Sequence, residues 1–277
     1  MATTPRTSTP RAVRYPTTDG KPMAETDTHR DGMVDLIQTL QARYAADPMV
    51  YVSGNILLFY EEGNPRAHVS PDVLVVRGIA KLPVKDNYKV WEEGKGPDLV
   101  IELTSKSTRR VDQTTKRALY RDVLRVREYI QFDPFGEWLK PPLQGFRLVG
   151  GEYAAIEPVD GRLPSEVLGL HLGREGVELR LHDPIAGRLM TLKERTAAEQ
   201  ARADIEQARA DIEQARADIE QARADAERRI AEAERRIAEA ERGRAEAEKT
   251  RADAAEAQVA RLLREIEAMH RPGGNGA

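Results

Sequence analysis

The sequence predicts a mixed α/β (α+β) domain, a sheet flanked by helices, followed by a long C-terminal coiled-coil helix. Three observations carry this. Between residues 23 and 192, helical apolar spacing alternates with short apolar runs bounded by Gly, Pro and Asp. The order of these patterns is helix, strands, helix, strands, which sets a long helix against at least one face of a sheet. From Lys193 the composition turns to Ala, Arg, Glu and Asp in a seven-residue repeat, with no proline until Pro272. The chain is therefore expected to divide into a disordered arm (1–22), a globular domain (23–192), a coiled coil or long charged helix (193–271) and a flexible tail (272–277).

Taken in order, the arm is rich in Thr, Pro and Arg and has no apolar stretch, so it is not a secretory signal. Residues 23–46 carry Met33, Leu36, Ile37 and Leu40 at helical spacing, and Pro48 ends the pattern. Glu25 and His29 lie four apart near its start and share one face, either as a capping-type carboxylate beside an exposed histidine or with a role in the site. The segment 50–64, VYVSGNILLFYEEGN, is β-rich and closes on a Gly-Asn turn. In 68–78, Pro71-Asp72 leads into the apolar strand Val73–Val76. Residues 79–96 are polar and rich in Lys and Gly, as a surface loop would be, with Trp91 as its anchor. Next comes GPDLVIELTSKST (96–108). Its run Leu99, Val100, Ile101 suits a strand buried on both faces.

Residues 108–123 read as a helix, with Lys116, Leu119, Tyr120 and Val123 at i, i+3, i+4 and i+7 and with Ser107 or Thr108 as its cap. Residues 127–132 form another strand, stopped by Asp133-Pro134. The runs 146–149 and 153–156 flank Gly150-Gly151, a hairpin signal. Segments 164–172 and 177–181 supply the last strands. In the C-terminal segment ARADIEQ occurs three times from Ala201. Ile205, Ile212 and Ile219 recur every seven residues, each followed three positions on by Ala208, Ala215 or Ala222. The eleven-residue step to Ile230 is a four-residue stutter, after which Ile237 resumes the spacing. Val259, Leu262, Ile266 and Met269 form a last, more apolar turn. Pairs such as Arg202–Glu206 and Glu232–Arg236 also suit a lone, charge-stabilised helix.

Composition excludes several classes. Cysteine is absent, so there is no disulfide framework, no thiolate-held zinc and no thiol nucleophile, which fits a reducing cytoplasm. A membrane helix takes about 20 consecutive apolar residues, and no apolar run here comes near that length. The net charge is −3. Residues 1–195 hold 27 acidic and 28 basic side chains, so a nucleic-acid partner would rely on a local basic patch. No P-loop, GxGxxG or HExxH occurs, and His29, His68, His171 and His182 lack ligand spacing.

Asp72 and Glu102 are the candidate chemistry. Each lies at one end of a short apolar strand, where a carboxylate is costly unless paired or bound to a cation. If the strands are neighbours, the two acids converge on one divalent ion, and Mg²⁺ suits one or two carboxylates with water and phosphate. A nearby lysine would neutralise the phosphate or orient the water. Lys106 follows Glu102 by four residues, and Lys116 lies on the next helix. Strand ends also carry acids for purely structural reasons, and Pro-Asp is a common turn dipeptide.

The runs SPDVLVV (70–76) and PDLVIELTSKSTRRVDQTTKRALYRDVLRVREYIQFDP (97–134) resemble the Uma2 family, also described as DUF820, of restriction-endonuclease-like proteins. So do ETDTHRDGM (25–33), WEEGKGPD (91–98) and the GEY…LPSEVLGLHL pattern (151–172). The resemblance covers residues 23–192 in order. It implies a PD-(D/E)XK nuclease-like mixed sheet flanked by helices, with Pro71-Asp72 as the PD element and Glu102 at the (D/E) position. The sequence departs from that pattern at residue 104, where the lysine is replaced by Thr104. The resemblance implies that Lys116, on the following helix, supplies it, and that Glu25 adds a carboxylate. The expected function is a Mg²⁺- or Mn²⁺-dependent endonuclease acting on DNA, self-associated through the coiled coil. The alternative is a catalytically silent scaffold of the same fold whose coiled coil binds a partner.

Overall fold

The structure, a computed structural model, describes residues 13–18, 20 and 26–269. Helix α1 (Asp27–Arg43) begins on Thr26, whose side chain accepts from the His29 N–H, a cap that satisfies one of the free amides of the first turn. It is followed by β1 (Val50–Ser53), β2 (Leu58–Phe59), β3 (His68–Val69) and β4 (Val73–Arg77). The expected loop at 79–96 holds two small elements, β5 (Tyr88–Lys89) and α2 (Val90–Glu93), because Tyr88 is apolar enough to be buried completely beside Leu58. Strand β6 (Leu99–Leu103) is buried along its whole length.

The helix expected over 108–123 is present with an altered winding. A first turn, α3 (Arg109–Val111), runs into two π-helical turns at Asp112–Lys116 and Leu119–Val123. Strands β7 (Glu128–Phe132), β8 (Leu143–Val149) and β9 (Glu152–Ala155) follow, the last two as the hairpin on Gly150-Gly151, both at positive φ. Then come β10 (Leu163–Ser165), β11 (Leu170–Glu175), β12 (Glu178–Asp183) and β13 (Gly187–Arg188).

The main sheet has six strands in the order β1-β4-β6-β7-β8-β9. All neighbours are antiparallel except β6 and β7, which run parallel and are joined by the crossover that contains α3 and the π turns. Side chains alternate across the sheet. Leu99, Ile101 and Leu103 meet Met33, Leu36 and Leu40 of α1 and the apolar face of the second sheet, β10-β11-β12-β13. Val100 shares the opposite face with Leu74, Val76, Tyr120, Leu124 and Tyr129. The small sheet β3-β2-β5 supplies Leu58, Val69 and Tyr88 to that side. The mixed α/β sheet flanked by helices that the sequence predicts is thus observed.

Of the expected arm, residues 13–18 and 20 are described. There Tyr15 packs on Phe59 and Trp91 with ring centroids 5.0 and 5.2 Å apart, and its hydroxyl accepts from the Gly63 N–H. Trp91, the expected anchor of its loop, packs against this N-terminal stretch. The expected tail, 272–277, lies outside the described residues.

Two compact units divide the chain, Met1–Glu199 and Gln200–Ala277. Helix α4 (Leu192–Met269) is 78 residues long and opens on a capping box. The Thr191 N–H donates to Glu194 and the Glu194 N–H to the Thr191 hydroxyl. Along α4 the i,i+4 contacts differ from those expected. Gln200, Gln207, Gln214 and Gln221 each donate to the Asp four residues on, at 2.8–3.1 Å. The expected pairs Arg202–Glu206 and Glu232–Arg236 do not form among the described residues. Both partners are long and fully solvated, so fixing them costs rotamer entropy that the weak attraction in water does not offset. Among the described residues no helix is long and apolar enough to cross a membrane.

Candidate active site

The site grows out of the β4/β6 pairing. Val73 lies opposite Ile101 in this antiparallel ladder, so the next step places Asp72 opposite Glu102. Both residues share the face of Val100 and Leu74. The Asp72 N–H points at Glu102 Oε2, 3.4 Å away, and Asp72 Oδ2 accepts from the Leu103 N–H at 2.7 Å. Gly54 allows the backbone to come this close: a Cβ there would lie 2.0 Å from the Asp72 carbonyl oxygen and 2.7 Å from Ile37 Cδ1. The Asn55 N–H also donates to the Pro71 carbonyl at 2.8 Å. The PD turn is therefore held from below by the β1–β2 connection.

Lys116 comes back over the sheet from the π-helical turn. Its Nζ lies 3.0 Å from Glu102 Oε2 and 3.1 Å from Asp112 Oδ1. Four residues on, the Tyr120 hydroxyl donates to Glu102 Oε1 at 2.6 Å. Helices with inserted π turns frequently mark functional sites, and here the widened winding presents Asp112, Lys116 and Tyr120 to the same strand end. Tyr129 of β7 supports them from beneath: its hydroxyl donates to the Asp112 carbonyl and accepts from Gln131 Nε2. From the other side, His29 Nε2 of α1 lies 3.1 Å from Asp72 Oδ2.

Glu102 is 1 % exposed, Asp112 is equally buried, and only Asp72 and Lys116 keep partial access to solvent. Burial pushes the Glu102 carboxyl up to about 8; Lys116 opposes this, Asp72 and Asp112 add to it, and the Tyr120 hydrogen bond opposes it. Burial also raises Asp112, again against the pull of Lys116. Lys116 itself is held above its ordinary value, since Glu102 and Asp112 outweigh its desolvation. Glu102 and Asp112 thus share the Lys116 ammonium, and Asp72 lies against Glu102, a surplus of carboxyl groups that a cation would relieve.

That surplus is the test of whether a divalent cation fits. The donors are all hard carboxylate oxygens, as Mg²⁺ and Mn²⁺ prefer, and two carboxylates suffice for an ion that keeps most of its water. Among the described residues no group of three or more His, Asp and Glu side chains is arranged to hold a metal ion. Glu25, the expected extra carboxylate, lies outside the described residues.

Of the residues read from the sequence, Asp72, Glu102 and Lys116 therefore come together, while Lys106 is exposed on the loop after β6. Thr104 is buried, and its hydroxyl has no hydrogen-bond partner among the described residues. His29, expected to be exposed beside a capping acid, is instead buried against Asp72, because the start of α1 packs over the PD turn. Asp112 and Tyr120 are site residues that the sequence reading misses. Their spacing of four on either side of Lys116 is the available signal, since it puts all three on one helical face.

A family model described as "Uma2: Putative restriction endonuclease" matches residues 6–181. The chain belongs to the Uma2 family. The match takes in the described elements of the site and ends within β12, so β13 and α4 lie beyond the matched residues. Among solved structures, one similar to this Uma2 protein is the crystal structure of a putative nuclease belonging to DUF820 from Anabaena variabilis ATCC 29413. It is 14% identical, with a TM-score of 0.40, over 57% of this chain and 85% of that one. No curated protein matches the chain.

Proposed function

We propose that this protein is a metal-dependent endonuclease of the PD-(D/E)XK type, hydrolysing phosphodiester bonds in DNA. The observation that supports this most directly is the meeting of Asp72, Glu102 and Lys116 at the end of β6, although residue 104 is threonine. Asp72 and Glu102 would hold Mg²⁺ or Mn²⁺, with Glu25 as a further candidate ligand. Such an ion, when bound, lowers the pKa of a water and offsets the charge that develops on the phosphoryl oxygens.

The protein's own groups divide the remaining work. Asp112 and Glu102 hold Lys116 as an ammonium, so its N–H groups donate to a phosphate oxygen or orient the attacking water and do not act as the base. Tyr120 fixes the Glu102 carboxylate through Oε1, leaving Oε2 toward Lys116 and Asp72. Lys106, Arg109 and Arg110 are exposed just beyond the site, with Arg109 stacked over Trp138 at 4.3 Å, and they give a backbone phosphate a local cationic surface on a unit of near-neutral charge. The heptad helix would pair chains, which suits cutting both strands of a duplex. The protein would act in the cytoplasm.

The test is cleavage of plasmid DNA with Mg²⁺ or Mn²⁺, alongside Glu102→Ala and Asp72→Ala, with calorimetric Mn²⁺ titration of each. Cleavage and Mn²⁺ binding in the wild type and loss of both in the variants are expected. A folded wild type that neither cuts nor binds Mn²⁺ would overturn the reading in favour of a silent scaffold.

A further inference from the structure

The isoleucines of α4 are unusually bare for their type. Ile205, Ile212 and Ile219 are each 56 % exposed, and Ile230 and Ile237 each 60 %. Val259, Leu262 and Leu263 continue the series at 50–56 %. These residues form one stripe. The seven-residue steps drift one way around a straight helix and the eleven-residue step from Ile219 to Ile230 drifts the other. The step from Ile237 to Val259 is two elevens. Between Ile205 and Val259 the drifts cancel, since that interval is a whole number of turns at about 3.6 residues per turn. The stripe therefore returns to the face on which it began.

Charges flank the stripe in a fixed order. With Ile at position a and Ala at d, Asp204, Asp211 and Asp218 occupy g, and Arg209, Arg216 and Arg223 occupy the e positions five residues later. Beyond the stutter the signs invert together: Arg229 and Arg236 occupy g, while Glu234 and Glu241 occupy e. Each g residue thus meets an opposite charge at e of a second, parallel copy in the same register. Within the chain, these e-position arginines and glutamates and the g-position arginines form no ion pair among the described residues. The g-position aspartates are held in place by their Gln donors through Oδ1, which leaves Oδ2 for a partner.

An antiparallel copy centred near Ala226 also brings unlike charges together, because the two blocks carry inverted signs. It fails on the apolar stripe. Val259, Leu262 and Leu263 would then lie opposite residues near 189–193, before the repeat begins, and the 237–259 break would face uninterrupted heptads. Only the parallel, in-register arrangement sets every apolar layer and every break against its own copy.

We propose that α4 pairs with α4 of a second copy of this chain as a parallel, in-register two-stranded coiled coil, which deepens the self-association read above and rests on it. The sequence contains no cysteine, so an introduced one reports alone. The experiment uses the full chain. Sedimentation at micromolar concentration should give the mass of two chains. Under mild oxidation, Ala240→Cys (position d) should form a covalent dimer, as should Ala226→Cys, while the outward-facing Ala210→Cys should not. Reversing Arg209, Arg216 and Arg223 to Glu should weaken association at least tenfold. A two-chain particle that links at residue 226 and not at 240 is antiparallel and overturns the orientation while leaving self-association intact. A single-chain mass overturns self-association itself, and a three-chain mass overturns the two-stranded state.

Discussion

Replacing Lys116 by methionine isolates what holds the site together. The side chain keeps nearly the same reach and loses its charge, and Glu102 and Asp112 are left buried without their shared cation. At an effective dielectric of about 20, ion pairs at 3.0 and 3.1 Å are each worth roughly 5 kcal/mol, so about 10 kcal/mol of attraction disappears. The desolvation cost of the ammonium, several kcal/mol, disappears with it, and the two acids recover part of the rest by taking up protons. The expected net loss is about 3–5 kcal/mol, the range found when one partner of a buried pair is removed. The deficit carries a pH signature. Lys116 holds both carboxyls down against burial, so without it their folded pKa values rise further above those of the unfolded chain. A raised folded pKa contributes stability that is complete below the unfolded value, about 4.5 for Glu102, and is lost as pH climbs through the folded value. The variant's deficit should therefore be smallest near pH 4.5 and grow as pH climbs through the wild-type folded values, the Glu102 part opening only above about 8. Urea unfolding in EDTA, followed by fluorescence, reads this unit alone, because both tryptophans, Trp91 and Trp138, belong to it. A change at about pH 9 no larger than an ordinary surface substitution gives, about 0.5 kcal/mol, with an unchanged pH slope, would refute the buried-triad reasoning.

Gly54→Ala should disturb the PD turn without touching a polar group. Its Cβ would meet the Asp72 carbonyl oxygen at 2.0 Å, and an overpacked core of this kind costs about 1–3 kcal/mol, so both the unfolding midpoint and Mn²⁺ affinity should drop. Glu194→Ala should cost about 1 kcal/mol by removing half of the capping box that opens α4. Arg188 first, and the Thr191 N–H next, hold the Glu194 carboxyl down to about 2. That contribution is present above an unfolded value of about 4.5 and is lost as pH falls toward 2, so thermal melts of wild type and variant should converge in acid and separate above pH 5.

How much of this was legible depends on range. The Val73–Val76 and Leu99–Leu103 runs, the Gly150-Gly151 hairpin and the heptads of α4 are local patterns, and each corresponds to an element observed. Tyr88 was hidden because a single buried aromatic in a polar stretch has no period to reveal it. The π turns after α3 were hidden because their apolar spacing imitates an ordinary helix. Spacing alone does not separate Arg202–Glu206 from Gln200–Asp204. The shorter Gln and Asp side chains have less freedom to lose, and theirs is the contact that forms.

By itself, the sequence determined the fold class, the order of its elements, the acids at the strand ends and the face on which Lys116 lies, because periodicity and turn chemistry act over a few residues. Only the tertiary structure decided that β4 and β6 are neighbours, that Asp72 stands opposite Glu102, and that Asp112, Tyr120 and His29 gather around them. Tyr120 and Asp72 stand 18 and 30 positions from Glu102 in the chain, and His29 is further still from Asp72. These meetings follow from strand register and from the path of one crossover, neither of which is written in any local stretch.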